Sequence, residues 1–214
     1  NYGKIFSEYM FIKDFRNDPK FSKKIIIENQ EELEKIKLQK KPVIFISGHF
    51  SNFELMAMHL EKSNINLAAV YRPLNNRFLN PIMERIRKKY ICKKQIKKGI
   101  SGTKELLKEF KSGTSIALMI DQRVSEGIKS ELFGHKALTT TIPAQFVKKF
   151  DPLIVPIYIE RLIDDTFQLK ILKAIEFSKN ETTDEITNKL NKILEKMIMS
   201  NPEQWIWTHN RWKV

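Results

Sequence analysis

The residues whose types and spacing could do chemistry are His49 and Glu54, within SGHFSNFE at residues 47–54. A short apolar run, VIFI, precedes this segment and LMAMHL follows it, which indicates a strand, a loop and a helix. Five residues apart on one helix, at about 100° per residue, the two side chains would face different directions. They can meet only if His49 lies in the loop and Glu54 in the first helical turn. The layout therefore predicts an oriented imidazole, suited to general-base chemistry, at the carboxyl end of a strand.

The same segment has a purely structural interpretation. Ser51-x-x-Glu54 fits a capping box, in which Ser51 caps the helix and Glu54 reaches back from the third helical position. A capping role and a catalytic role for Glu54 do not exclude each other, so the residues alone leave both open.

Short apolar runs alternate with helical patterns along the rest of the chain. Residues 1–40 are predicted to be helical. Strands are predicted at 43–46, 67–71, 115–120, 153–159 and 167–172, and helices at 51–60, 78–89, 104–111 with Thr103 as N-cap, 143–150 and from Ile186 onward. This alternation predicts a single α/β domain over residues 1–214, with a central, mostly parallel sheet flanked by helices.

Composition limits the classes of function. The 214 residues are 42% hydrophobic, which excludes wholesale disorder. One cysteine, Cys92, excludes an intrachain disulfide framework and a cysteine-based zinc site. His49 and His59 lack a convincing third ligand, so we expect no metal and no cofactor. The net charge of +13 indicates anionic partners or a lysine-rich solvated surface.

Several motifs in order resemble one family. His49-x4-Glu54 is similar to the H-x4-D/E motif of glycerolipid-type acyltransferases. More closely, the chain resembles the late acyltransferases of lipid A biosynthesis, the lauroyl/myristoyl transferases. The blocks that carry this likeness are Asn1–Glu8, GHFSNFE at 48–54, VYRP at 70–73, DQR at 121–123, residues 133–139, and PEQW at 202–205 with His209, Arg211 and Trp212.

The resemblance implies transfer of a fatty acyl chain from a thioester to a hydroxyl of a lipid A precursor. It implies His49 as general base, Glu54 as the group that orients it, and Arg72, Asp121 and Arg123 in substrate binding. The donor would be acyl carrier protein or coenzyme A thioester. Another glycolipid acceptor, such as a mannosylated phosphoinositide, stays an alternative. The family also implies the cytoplasmic face of the inner membrane.

The chain begins at Asn1 rather than Met, and no apolar run approaches the roughly 18 residues that span a bilayer. We therefore expect a longer natural N-terminus that carries a membrane anchor of about 20 apolar residues.

The basic stretch from Arg85 to Lys98 suits an anionic membrane surface, lipid phosphates or acidic carrier protein, with a solvated face as the alternative. Trp205, Trp207 and Trp212 suit a membrane interface or simple packing. A nucleic-acid-binding module is a distant alternative supported by charge alone. No recognised motif accompanies that charge, so we expect no nucleic acid partner.

Overall fold

A computed structural model of the protein describes residues 2–213. Its strands are β1 Ile25–Glu28, β2 Ile44–Ser47, β3 Leu67–Tyr71, β4 Lys94–Lys97, β5 Ser115–Met119, β6 Ile128–Leu132, β7 His135–Thr139, β8 Ile154–Arg161 and β9 Phe167–Ile171. Seven of them form one sheet in the order β1-β9-β8-β2-β5-β3-β4, and β6 with β7 forms a separate antiparallel hairpin. Within the large sheet every pairing is parallel except that of β8 with β9.

The helices are α1 Tyr2–Glu8, α2 Ile12–Asn17, α3 Pro19–Ser22, α4 Gln30–Gln39, α5 Glu54–Lys62, α6 Leu79–Ile86, α7 Ile100–Lys111, α8 Ile142–Phe150 and α9 Thr183–Ser200. A 3₁₀ turn, Tyr9–Phe11, joins α1 to α2, a π turn, Arg87–Ile91, follows α6, and a 3₁₀ turn, Pro202–Gln204, follows α9. No helix between residues 2 and 213 combines the length and the apolar character needed to cross a membrane.

The seven-stranded, mostly parallel sheet with its flanking helices confirms the predicted α/β class. The central strands were predictable because they are apolar and buried. All four residues of β2 are buried. The strands next to it on one side, β5 and then β3, contribute side chains to the same hydrophobic core. Strands covered on both faces read as continuous apolar runs rather than alternating ones, which is why the sequence pattern locates them.

Three regions differ from the sequence-based expectation. The helical assignment of residues 1–40 is wrong at β1, which pairs with β9 at the edge of the sheet. β1 is a run of three isoleucines and a glutamate, which is a strand signal, but it is only four residues long and lies between two helical patterns. The predictions also missed β4 and the β6–β7 hairpin, whose strands are amphipathic or polar rather than apolar. Asn1, the first residue of the predicted helical segment and of the Asn1–Glu8 block, lies outside the described residues.

The predicted capping box at Ser51 is also wrong. Helix α5 begins at Glu54, and no side chain caps it. Ser51 instead adopts a positive φ of 43° and donates its N–H to the carbonyl of Gln204. The preceding residue, Phe50, forms a bridge with Trp205. These contacts hold Phe50 and Ser51 on the C-terminal segment, and α5 starts only three residues after Ser51.

Thr103 is likewise not an N-cap, because α7 already begins at Ile100. Its hydroxyl donates to the carbonyl of Gly99 at 3.2 Å, which is the back-bonding expected of a threonine inside the first turns of a helix.

Candidate active site

The carboxyl ends of β2, β3 and β5 lie side by side, because these neighbouring strands are parallel. His49 follows β2, Arg72 follows β3, and Asp121 follows β5 after Ile120. A cleft of about 450 Å³ opens at this edge, and His49, Glu54 and Arg72 line it. Separate sequence blocks are thus brought to one place by strand order, as is usual for ligand sites in open α/β sheets.

Asp121 holds the imidazole of His49. The Nδ1–H of His49 donates to Oδ1 of Asp121 at 2.8 Å, and the backbone N–H of His49 donates to Oδ2 at 2.7 Å. The His49 side chain is 18% exposed and that of Asp121 only 3%. This pairing fixes one tautomer, in which Nδ1 carries the hydrogen and Nε2 is left as the acceptor.

Trp205 completes the support of the carboxylate. Its indole Nε1–H donates to Oδ2 of Asp121 at 2.9 Å, and the residue is 3% exposed. Asp121 therefore accepts three hydrogen bonds, one from the ring of His49, one from its backbone and one from Trp205. A buried carboxylate needs such donors to stay ionised.

The two groups shift each other's pKa. Burial by itself lowers the pKa of His49, but the charge and hydrogen bond of Asp121, with a smaller contribution from Glu54, raise it above 6.5. Burial raises the pKa of Asp121. The charge and hydrogen bonds of His49, together with the hydrogen bond from Trp205, nevertheless bring this pKa below its ordinary value. The pair therefore favours an ionised carboxylate that stabilises an imidazolium.

Glu54, itself buried, lies in a second, partly buried cluster. Its Oε1 accepts a hydrogen bond from the phenol of Tyr9 and one from Nε of Arg87 at 2.9 Å, with an Nη of Arg87 at 2.7 Å. Arg87 also donates to the oxygen of Tyr9 at 3.0 Å. The cluster joins the 3₁₀ turn after α1, the first turn of α5 and the π turn after α6, and both Glu54 and Arg87 line the cleft.

The hydrogen bonds thus place His49 with Asp121 and Glu54 with Tyr9 and Arg87. Within residues 2–213, a direct hydrogen bond between His49 and Glu54 is not observed. Glu54 is close enough to raise the pKa of His49 through its charge. The predicted orienting role of Glu54 stays a prediction, whereas the orienting contact that the geometry shows belongs to Asp121.

Comparison with known sequences identifies the family of the chain. The family described as bacterial lipid A biosynthesis acyltransferase matches residues 1–214. The chain belongs to this family. Its resemblance to the late acyltransferases of lipid A biosynthesis is therefore confirmed.

Individual relatives are distant. The chain is 26% identical over 194 residues to the lipid A biosynthesis lauroyltransferase of Escherichia coli K12. The aligned region covers 86% of this chain and 60% of the relative. It is 24% identical over 209 residues to the palmitoleoyltransferase of the same organism, covering 94% of this chain and 65% of the relative. The chain therefore spans about 60–65% of the length of these curated relatives.

One solved structure shares the fold of this family member. The 1-acyl-sn-glycerophosphate (LPA) acyltransferase PlsC from Thermotoga maritima superposes with a TM-score of 0.55, over 96% of this chain and 85% of that one. At 15% sequence identity, the likeness shows a common fold and nothing more specific. It agrees with the glycerolipid-acyltransferase-like architecture expected from the sequence.

Arg72 lines the cleft and is exposed, and its predicted role in substrate binding stays a prediction. Lys98, which also lines the cleft, lies close enough to Arg72 for the two charges to interact. Burial first and the charge of Arg72 second lower the pKa of Lys98. Two cations held close together at a cleft are suited to an anionic group such as a phosphate.

Arg123 is placed differently. Its guanidinium donates to the carbonyl of Lys213 at 2.7 Å and to the hydroxyl of Ser125 at 3.3 Å. Its backbone N–H donates to Nε2 of His209 at 2.9 Å. Among the described residues Arg123 does not line the cleft, whereas His209 does. These contacts fasten the C-terminal segment beside the site, and the predicted substrate-binding role of Arg123 stays a prediction.

Sequence reasoning missed the site roles of Tyr9, Arg87 and Trp205. The sequence pattern places Arg87 in a basic stretch, whereas the structure pairs it with Glu54 in a partly buried cluster. The sequence predicts packing or a membrane-interface position for Trp205, whereas its indole donates to Asp121. Its position in the PEQW block was the available signal. Tyr9 offered none beyond helical spacing, because its partner Glu54 is 45 residues away.

Proposed function

We propose that this chain transfers a fatty acyl group from an acyl thioester to a hydroxyl group of a lipid A precursor, with His49 as the general base. The observation that carries the proposal is the His49–Asp121–Trp205 chain of hydrogen bonds at the cleft. It leaves Nε2 of a fixed imidazole as the proton acceptor. Membership of the lipid A biosynthesis acyltransferase family supports the acceptor class.

The proton movements follow from this arrangement. Nε2 of His49 removes the proton of the acceptor hydroxyl as its oxygen attacks the carbonyl carbon of the thioester. Asp121 stabilises the imidazolium that forms. The carbon–sulfur bond then breaks, and the imidazolium returns the proton to the departing sulfur. The products are an ester and a free thiol, and His49 is neutral again.

Negative charge on the thioester oxygen needs prepositioned positive groups. The N–H groups that immediately follow His49 are already used, because Phe50 donates to the carbonyl of Gly48 and Ser51 to that of Gln204. Arg87, held on Glu54, supplies a fixed cation at the cleft wall. We assign charge stabilisation near the reacting centre to Arg87, and phosphate binding to Arg72 with Lys98.

The cleft also has an apolar wall that suits an acyl chain. Small or apolar side chains from α5, β3 and β5 line it: Ala57, Ala69, Val70, Ala117, Leu118 and Met119. Burying a methylene group contributes about 0.8 kcal/mol, so a chain lying along this wall would be bound mainly by its hydrocarbon. Acyl carrier protein is the proposed donor, with coenzyme A thioester as the alternative, and the enzyme would act at an anionic membrane surface on the cytoplasmic face of the inner membrane.

The test is acyl transfer by the 214-residue chain, followed by mass spectrometry of the lipid product. A lipid A precursor should gain one acyl chain from acyl carrier protein thioester or from acyl-coenzyme A. His49→Gln should abolish the product, and Lys136→Gln, an exposed residue of the β6–β7 hairpin that does not line the cleft, serves as the matched control. Acylation of a mannosylated phosphoinositide but of no lipid A precursor would replace the proposed acceptor with the alternative one.

A further inference from the structure

Helix α6 presents an apolar face to solvent at the edge of the cleft. Phe78, just before the helix, is 87% exposed, and Leu79 and Ile82 are 44% and 55% exposed. Phe78 and Ile82 are four residues apart, so they lie on one face of the helix. Met83, the buried residue of α6, lies about 100° around the helix axis from Ile82 and packs inward. Exposed apolar residues are common singly, but a cluster of large ones indicates an interaction surface.

Basic residues surround this apolar face. Between residues 72 and 89 the chain carries one acidic side chain, Glu84, and that side chain bonds to Asn80 at 2.9 Å and is 3.4 Å from Lys97. The exposed basic residues of the same segment are Arg72, Arg77, Arg85, Lys88 and Lys89. An apolar face bordered by lysine and arginine is the composition of a helix that lies in the headgroup region of an anionic bilayer.

The helix is fastened directly to the rim of the cleft. The side-chain oxygen of Asn80 accepts the N–H of Leu74 at 2.8 Å, and Leu74 with Arg72 lines the cleft. At its other end α6 continues into the π turn that carries Arg87, the partner of Glu54. A surface bound to α6 would therefore lie next to the opening through which a lipid substrate must pass.

We propose that the α6 face, defined as Arg77, Phe78, Leu79, Ile82, Arg85 and Lys89, docks on an anionic lipid bilayer. Its apolar residues enter the interface and its cations bind lipid headgroups. A second copy of the chain is a poorer occupant, because a two-fold contact would bring the same cations together. The inference deepens the proposed function, since it states how the cleft meets a lipid, but the docking can be measured without catalysis.

The first experiment measures co-sedimentation of the chain with vesicles, with no substrate present. Vesicles of neutral phosphatidylcholine are compared with vesicles that contain about one third phosphatidylglycerol. We expect binding to the anionic vesicles that weakens with salt, because exposed charges are screened. Phe78→Ser with Ile82→Ser should weaken the partition coefficient by about tenfold or more, since two large apolar side chains leave the interface. Arg77→Glu with Arg85→Glu should weaken it by about 25-fold or more, at roughly fivefold for each cation lost.

Matched controls exist on other faces. Ile163, in the turn between β8 and β9, is fully exposed, so Ile163→Ser removes an equally exposed apolar residue elsewhere. Lys129→Glu with Lys136→Glu makes the same charge change on the exposed side of the β6–β7 hairpin. Both controls should bind the vesicles within about twofold of the unsubstituted chain. A melting curve for every variant excludes unfolding as the cause of any loss.

The second experiment places a fluorescent reporter on the face. Ile82→Cys can be labelled selectively, because Cys92 is 1% exposed and burial raises the pKa of its thiol to about 11. An environment-sensitive dye at residue 82 should shift its emission to the blue with anionic vesicles, and the same dye on Ile163→Cys should not. Equal shifts at both sites, or none at residue 82, would overturn the proposal.

Two further outcomes would also overturn it, each in favour of another occupant. Loss of a dimer on α6 substitution, with unchanged vesicle binding, would assign the face to a second copy. A raised KM for the carrier-protein thioester but not for acyl-coenzyme A, again with unchanged vesicle binding, would assign it to the carrier protein. An inactive chain whose vesicle binding depends on α6 would instead refute the proposed function and leave the docking surface standing.

Discussion

Two buried carboxylates meet the SGHFSNFE segment: Glu54 is its last residue, and Asp121 contacts His49 within it. The two are held in different ways. Asp121 receives its hydrogen bonds from His49 and Trp205, so its support comes from β5 and the C-terminal segment. Glu54 receives its bonds from Tyr9 and Arg87, so its support comes from the N-terminal segment and the turn after α6. One carboxylate faces a titratable partner and the other a permanent cation.

The difference indicates that the two carboxylates have separate roles, although the sequence motif suggests a single role for Glu54. A carboxylate on an imidazole changes the pKa and the tautomer of the base, whereas a carboxylate on a guanidinium fixes a charge in space. We therefore expect substitutions around Asp121 to change the pH dependence of the reaction. Substitutions around Glu54 should change its rate and the stability of the protein more than its pH dependence.

The largest expected effect is that of removing the base itself. His49→Ala should reduce acyl transfer by about a thousandfold or more, within the range of general-base catalysis. The double variant with Asp121→Asn should be little worse than His49→Ala alone, because residues that act as one unit are not additive. Single-turnover rates of the three variants decide this, and an additive loss would show that Asp121 does not act through His49.

Asp121→Asn alone should reduce transfer by about a hundredfold, since the asparagine cannot stabilise the imidazolium. The active base is the neutral imidazole, and its pKa is raised above 6.5 by Asp121 against the effect of burial. In the unsubstituted enzyme, activity should therefore fall as the pH decreases through a value above 6.5. Removing the carboxylate should move this acid limb to lower pH, and a pH–rate profile measures it. An unmoved limb would mean that another group titrates.

Features that depend on residues close together in the sequence could be predicted, and features that depend on residues far apart could not. The strands of the central sheet follow from continuous apolar runs such as 43–46, because burial on both faces leaves a local pattern. β1 and β4 form at the two edges of the sheet and have only four residues each, so a short local pattern competes with the helical patterns around it. The β6–β7 hairpin lacks the apolar pattern, because its strands are amphipathic or polar.

The site shows the same limit. Its location at the end of β2 follows from the strand–loop–helix layout around His49. Its internal pairing does not, because Asp121 and Tyr9 are 72 and 45 residues away from their partners. The spacing His49-x4-Glu54 suggested that the nearer carboxylate holds the imidazole. Strand order, which brings the end of β5 beside that of β2, places Asp121 there instead.

Glu54→Gln tests the second carboxylate, the one that pairs with Arg87. Glutamine keeps the acceptor oxygen but loses the charge, and Arg87 would stay buried with its cation unpaired. A hydrogen bond to a charged group contributes about 1.5–3 kcal/mol, so we expect a loss of roughly tenfold to a hundredfold in rate. Thermal unfolding should also show a loss of about 2 kcal/mol or more, beyond the roughly 1 kcal/mol of a helix-cap change.

The pH profile of Glu54→Gln separates the two carboxylates. Glu54 contributes less than Asp121 to the raised pKa of His49, so the acid limb should move in the same direction but by less. A shift as large as that of Asp121→Asn would support direct orientation of His49 by Glu54 during the reaction. Glu84→Gln, a partly exposed carboxylate beside the cleft rim, is the matched control and should keep its acid limb.

The smallest expected effect is that of Tyr9→Phe, which removes one hydroxyl and keeps the ring. The partly buried phenol of Tyr9 donates to Glu54 and accepts from Arg87, and desolvation followed by the charge of Glu54 raises its pKa, so it stays neutral. A neutral hydrogen bond contributes about 1 kcal/mol, which corresponds to about fivefold in rate if Tyr9 positions Glu54 for the reaction. The matched control is Tyr90→Phe, which lies on the π turn that carries Arg87 but outside the cluster. A rate loss in Tyr9→Phe with an unmoved acid limb fits a residue that acts through Glu54 and Arg87. A shifted limb would instead connect the N-terminal segment to the His49–Asp121 pair, and the two carboxylates would then have to be treated as one unit.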